Sequence, residues 1–227
     1  MKNCIVLSGQ YRTFDKTWEN IREFIDINNL DVYCHMWSTD VKEVDNIVER
    51  LQPVKYLVED WTKYVGIFNE IERNVSLKNP KPISIDKIGA NASMNYSRKK
   101  AFDLIEQEYD NVVYCRYDIQ FKPTFGFAGV DRVVTPLEES YNIISDIFAI
   151  IPFKDAKHYF LFDEYERLHS TPFETEFIEV LRKRGYPEND IKIHVEQRYC
   201  PHMILLRNLS MNGVDFTIEK LPVYLQR

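Results

Sequence analysis

The stretch Asn3-Cys4-Ile5-Val6-Leu7-Ser8-Gly9-Gln10-Tyr11-Arg12-Thr13 sets the reading of this chain, because an unbroken apolar run stops at Ser8-Gly9 and gives way to polar residues. An apolar run without an in/out polar rhythm suits a strand covered on both faces. The period then changes, with Phe14, Trp18, Ile21, Phe24 and Ile25 falling on one face of a helix. That strand-helix unit repeats: Asp31 to Trp37 is a second β-rich run, Val41 to Leu51 has helical spacing, and Pro53 punctuates the return into Val54 to Val58. A β-α-β-α-β order predicts parallel strands with helices on both faces, a Rossmann-like N-terminal half.

Farther along the pattern loosens. Between Trp61 and Lys87 a short helix is expected to end near Arg73, and Asn79-Pro80-Lys81-Pro82 cannot continue one, so this part reads as a surface excursion. A helix is expected from about Ala92 to Glu108, with Ala101, Leu104 and Ile105 inward and Arg98, Lys99 and Lys100 on the other face. It leads to a fourth strand, Asn111 to Tyr117. Beyond lie a short strand at Arg132 to Thr135, the apolar run Ile143 to Pro152, and helical stretches at Lys154 to Leu168 and Thr171 to Arg184. Ile191 to Val195 and Met203 to Leu206 read as β-like pieces. The expected class is α/β, one domain over residues 1–227, with a mostly parallel sheet continuing into a mixed C-terminal half.

A chain of 227 residues can bury a substantial core without metal or disulfide staples. Its net charge of −6 offers no global attraction for polyanions, and no basic block stands out, so nucleic acid is not an expected partner. The longest apolar runs fall well short of the ~20 residues that span a bilayer, and no transmembrane segment is expected. The start at Met1-Lys2-Asn3 runs straight into a strand without a leader-like segment, which predicts a cytoplasmic product. Cys4, Cys34, Cys115 and Cys200 show no metal-ligand spacing and read as reduced, mostly buried thiols.

Ligands of open α/β sheets bind beyond the carboxyl ends of the strands. At the end of strand one, Gly9 permits close backbone approach, and Ser8, Gln10 and Arg12 surround it; the same residues also suit a turn capped by Thr13 or Asp15. This loop is neither a dinucleotide fingerprint nor a P-loop. Strand four ends in Cys115-Arg116-Tyr117-Asp118, where Asp118 can ligate Mg²⁺ or Mn²⁺ or pair with Arg116 as a purely structural couple. Asn95 and Arg98 lie in the first turns of the fourth helix, where they either face the crevice or form an exposed basic face. Asp146, in Ser145-Asp146, interrupts an apolar stretch and needs a partner or a task. His194 and His202 lie on late segments, where one could complete a metal site or both are ordinary structure, and Glu174 and Glu176 suit a helix start. Tyr11 and Tyr96 are the aromatic residues placed to stack on a base or sugar.

Together, Ser8-Gly9-Gln10-Tyr11-Arg12-Thr13, Asn95-Tyr96-Ser97-Arg98, Tyr114-Cys115-Arg116-Tyr117-Asp118 and Ser145-Asp146-Ile147-Phe148 resemble a GT-A glycosyltransferase over residues 3–165. The likeness is to short stand-alone transferases of surface-polysaccharide loci and large DNA viruses, including WavE-type lipopolysaccharide proteins. The resemblance implies a nucleotide-diphosphate sugar donor held by Ser8, Gly9, Gln10, Arg12, Asn95, Arg98 and Arg116, and a glycan or glycolipid acceptor. It further implies Mn²⁺ or Mg²⁺ at Asp118, and Asp146 as the acceptor-side base. The family's Asp-x-Asp reads Arg116-Tyr117-Asp118 here, with Arg116 in place of the first acid. A nucleotidyltransferase, and a non-catalytic sugar-binding protein that kept the fold, are the alternative readings.

Overall fold

The computed structural model describes residues 1–76, 90–137, 144–160, 174–196 and 201–226. Strand β1 (Asn3–Gln10) lies between β2 (Leu30–Trp37) and β4 (Asn111–Arg116), parallel to both, and β3 (Lys55–Glu59) extends the sheet beyond β2. Cys4, Ile5, Val6 and Leu7 are wholly buried, as a strand covered on both faces requires. Helices α1 (Phe14–Asn28) and α2 (Val41–Leu51) cover one face through Phe14, Ile21, Phe24, Ile47 and Leu51. The other face, presenting Cys4, Val6, Tyr33 and Tyr114, packs against α3 (Val65–Ser76), α4 (Ala90–Phe102) and the later helices.

Past β4 the direction reverses. Strand β5 (Ile119–Phe121) leaves the main sheet, β6 (Val133–Pro136) returns to it, and β7 (Phe148–Pro152) runs antiparallel to both β4 and β6. The order of the seven-stranded sheet is β3-β2-β1-β4-β7-β6-β8, with β8 (Phe216–Glu219) parallel to β6, while β9 (Val223–Leu225) pairs with β5 in a separate ribbon. This agrees with the expected α/β class, parallel in the first half and mixed in the second.

Several segments depart from expectation. The stretch after β3 is more than an excursion: a 3-10 turn (Trp61–Lys63) and α3 carry Phe68, 1% exposed, onto an aromatic cluster with Trp37 and Tyr96. Helix α4 ends at Phe102, short of Leu104, Ile105 and Glu108. Of the helix expected over Lys154 to Leu168, a 3-10 turn (Phe153–Asp155) and α5 (Ala156–Tyr159) are seen and residues 161–168 lie outside the described residues, while α6 (Glu174–Lys183) falls within the helix expected over Thr171 to Arg184. The two late β-like pieces are helical: Ile191 to Val195 lies in α7 (Glu188–Glu196) and Met203 to Leu206 in α8 (Pro201–Met211). Short apolar runs carry no period, and here the run in α8 is buried inside a helix that packs beside α5. Thr13 occupies the N-cap of α1 but makes no capping bond; its hydroxyl donates to the Gln226 carbonyl instead. Cys4, Cys34 and Cys115 are free and buried, and burial pushes the Cys34 thiol up to about 12; Cys200 lies outside the described residues. Among the described residues no helix is long and apolar enough to cross a membrane.

Candidate functional site at the ends of strands one and four

Register brings the polar ends together. Ser8 of β1 lies opposite His35 of β2 and Arg116 of β4, so the three side chains share the face covered by α4. Beyond them the chain leaves β1 through Gly9 (φ 128°) and Arg12 (φ 41°). Gly9 has nothing within 4 Å of where a Cβ would point, so its backbone borders open space. Arg12 holds a left-handed conformation unusual for a residue with a side chain, and strain of that kind recurs at ligand sites.

Asp118 closes this hollow. Its carboxylate, 4% exposed, accepts two parallel bonds from Arg116, Nε to Oδ1 at 2.9 Å and Nη2 to Oδ2 at 2.6 Å, and a third contact from Arg12 Nη1 at 3.3 Å. Burial works against the Arg116 cation, yet Asp118 outweighs it and holds the guanidinium above its ordinary pKa. Two guanidiniums meet this one carboxylate, and with Asp146 and the buried Arg98 close by, three guanidiniums stand against two carboxylates, one net positive charge. The chain end is anchored here too, for the Gln226 amide donates to the Asp118 carbonyl.

Asp146 reaches the same edge from the other direction. It precedes β7, and the Arg116 amide donates to the Ile147 carbonyl at 3.3 Å. Asp146 is 6% exposed, lies 3.6 Å from His202 Nδ1, and contributes to the elevated pKa of Arg116. His202 Nδ1 also stands 3.0 Å from the Ile144 carbonyl, which can only accept, so that nitrogen carries the proton.

Asn95 and Arg98 do not form an exposed basic face. Arg98 is 1% exposed, with its guanidinium carbon 5.4 and 5.0 Å from the ring centres of Tyr114 and Tyr159. It donates through Nη2 to Asn95 Oδ1, while Nε and Nη1 have no partner. The hydroxyls of Ser8 and Tyr114 are likewise sealed, with each other as neighbours. A buried guanidinium with two idle donors is costly in a merely structural setting. Gln10 is exposed and meets Arg12 Nε only at 3.4 Å. Tyr11 donates to Asp15 and is stitched to α1 and α2, whereas Tyr96 stacks on Trp37 at 5.6 Å. His194 and the helix-start acids Glu174 and Glu176 lie in α7 and α6, apart from these strand ends in the chain.

A second polar cluster, absent from the sequence reading, adjoins the first. His35, fully buried, meets Ser97 Oγ through Nδ1 at 2.7 Å and Glu59 Oε2 through Nε2 at 2.8 Å. Burial outweighs the pull of Glu59 and lowers the His35 pKa, keeping the ring neutral. The carboxylate can only accept, so Nε2 carries the proton and Ser97 donates to Nδ1. Tyr64 and Tyr96 add bonds to the other Glu59 oxygen. The cluster thus ties α4, which carries Asn95 and Arg98, to β2 and β3. The signal available in sequence was a histidine within an otherwise apolar strand.

A divalent cation fits these residues poorly. Both Asp118 oxygens already accept from guanidiniums, and among the described residues no group of three or more His, Cys, Asp or Glu side chains is placed to hold a metal ion. The open groove nearby, bordered by Asp15, Glu43, Asp45 and Glu49 against Lys42 alone, is acidic and would repel a phosphate ligand.

No family model matches the chain, and no curated protein does. Among solved structures it is similar to mouse xyloside xylosyltransferase 1 in the apo form, at 6% identity over 96% of this chain and 85% of that one, with a TM-score of 0.43. It is also similar to apo-form glycosyltransferase GlyE of Streptococcus pneumoniae TIGR4, at 14% identity over 96% of this chain but only 45% of GlyE, TM-score 0.40. A third is the galactosyltransferase LgtC in complex with donor and acceptor sugar analogs, at 10% identity over 99% and 86% of the two chains, TM-score 0.42. Overlaps this loose assign no activity and no residue, which leaves function to the chemistry of the strand ends.

Proposed function

We propose that the chain transfers a glycosyl group from a nucleotide-diphosphate sugar to a hydroxyl of a glycan or glycolipid, as in polysaccharide assembly. The observation that carries this reading is the meeting of Arg12 with Asp118, residues from the ends of β1 and β4, beside the open backbone of Gly9. A hollow with net positive charge at the carboxyl ends of parallel strands suits a diphosphate. The free, buried thiols of Cys4, Cys34 and Cys115 suit a reducing compartment such as the cytoplasm.

In the proposed reaction the bond between the sugar's anomeric carbon and the diphosphate oxygen breaks, and the diphosphate leaves with the electron pair. Arg116 and Arg12 oppose the charge that develops on it, stabilisation aimed at the leaving group. The acceptor oxygen bonds to the anomeric carbon and its proton passes to Asp146, whose neighbour His202 steadies the carboxylate. Arg98, Asn95 and Ser8 lie beneath the donor side of this hollow. Within this reading, His35 orients α4 through Ser97.

The test is a panel of nucleotide-diphosphate sugars assayed by thermal shift and by sugar release. The expected result is that at least one donor raises the melting temperature and is turned over, and that Asp146→Asn slows turnover while keeping the shift. A shift without turnover by any donor would favour the non-catalytic sugar-binding reading, which the neutralised Asp118 position supports. No response to any donor overturns the proposal and reopens the nucleotidyltransferase alternative.

A further inference from the structure

We infer that the chain grips a diphosphate without a divalent cation, with Asp118 acting as the positioning residue for two arginines rather than as a metal ligand. This rests on the donor reading above and deepens it.

Asp118 is already occupied. A hard divalent cation wants free carboxylate oxygens, several of them, in a region of negative charge. Here one carboxylate faces two guanidiniums, and a cation placed on it would meet net repulsion. Binding metal would first require Arg116 to surrender two parallel charge-assisted bonds, the strong kind, inside a site where Asp118 is 5% and Arg116 18% exposed in their side chains. Arg116 would then be a buried cation without its partner.

The same geometry works for an anion as it stands. Nε and Nη2 of Arg116 are committed to Asp118, and Nη1 makes no hydrogen bond among the described residues. The guanidinium plane is therefore fixed with one edge held and another available. Arg12, with 53% of its side chain exposed, is tied to the same carboxylate by a single 3.3 Å contact and can swing onto a phosphate at little cost. A fixed arginine and a mobile one, set against open backbone at Gly9, form a clamp for two linked phosphates. The net positive charge that a metal ion would bring is already built into the chain.

The experiment is calorimetric titration of the full chain with inorganic pyrophosphate, in EDTA and then in excess Mn²⁺. Binding is expected in EDTA, and Mn²⁺ should leave the affinity unchanged or lower it, since metal-complexed pyrophosphate carries less charge to the arginines. Arg12→Gln, at an exposed side chain and so safe for folding, should weaken binding in EDTA by about tenfold, the loss of one charge-assisted contact. Arg116→Gln should weaken it further. Asp118→Asn, which keeps an acceptor for Arg116, should retain binding in EDTA and gain none from Mn²⁺. Pyrophosphate binding that appears only with Mn²⁺ and is lost in Asp118→Asn overturns the inference while leaving the donor reading intact. Absence of binding under both conditions overturns the two together.

Discussion

Arg116 and Asp118, separated by the buried Tyr117, turn back on each other at the end of β4 so that one guanidinium edge lies flat along one carboxylate. Removing Asp118 leaves the largely buried Arg116 without the carboxylate that holds it, whereas Asp118 keeps Arg12 if Arg116 is removed. Asp118→Ala is expected to cost about 3 kcal/mol of folding stability, the usual penalty for breaking a buried pair from one side. Asp118→Asn should cost less, because an acceptor remains. Urea unfolding of the two variants decides this: equal losses would show that the charge pairing contributes little.

Asp146→Asn keeps the size and one acceptor but cannot take a proton. On whichever donor the panel identifies, kcat should fall by about 10²- to 10⁴-fold with the donor KM nearly unchanged. A variant that transfers sugar at the normal rate would remove Asp146 from the chemistry.

The His35 cluster predicts a pH dependence whose sign can be worked out. Burial depresses the folded-state pKa of His35 below its ordinary 6.5, so the unfolded chain binds the proton more readily. The stabilisation is complete above that value and is lost as pH falls from there through the folded-state pKa. Glu59 is also depressed: burial alone would lift it, but bonds from Tyr64, His35 and Tyr96 outweigh that, and its share is lost below its ordinary 4.5. Urea midpoints should therefore decline between about pH 7 and pH 5 in the wild type, and His35→Gln should flatten that slope. An unchanged slope in the variant would mean that other groups set it.

Arg98 is a buried cation with one side-chain bond and two aromatic contacts. Arg98→Met fills much of the same space without a charge, and is expected to stabilise the free protein by about 1 kcal/mol while weakening donor binding. Thermal melts with and without donor separate the two effects. A variant that loses stability would show the cation–π contacts to dominate.

The first half of the fold was legible because residues 3–58 alternate period and punctuation cleanly: an apolar run, a helical stripe, a break, and again. The later helices were not: Ile191 to Val195 alternates apolar and polar residues as a strand does, and Met203 to Leu206 is a short apolar run, buried throughout, that shows no period. The pairing of Arg116 with Asp118 could be anticipated from their spacing at a strand end, since both sit in one chain segment. Arg98 was harder: its neighbours Lys99 and Lys100 suggested a solvated face, and only the sheet beneath α4 shows that it turns inward. His35, Ser97 and Glu59 come from three elements, so only their assembly in the fold reveals them.

The reversal of β7 against β4 has one more effect. Parallel strands discharge their loops at a single rim, and a strand of opposite sense is fed from that same rim, so the segment before Phe148 arrives where Arg12 and Asp118 depart. Two unconnected stretches of polypeptide therefore build opposite walls of one mouth. Ser145, Asp146 and Ile147 thereby reach the rim without passing through the strand that carries Arg116, and the Ile147 carbonyl fastens the Arg116 amide from their side.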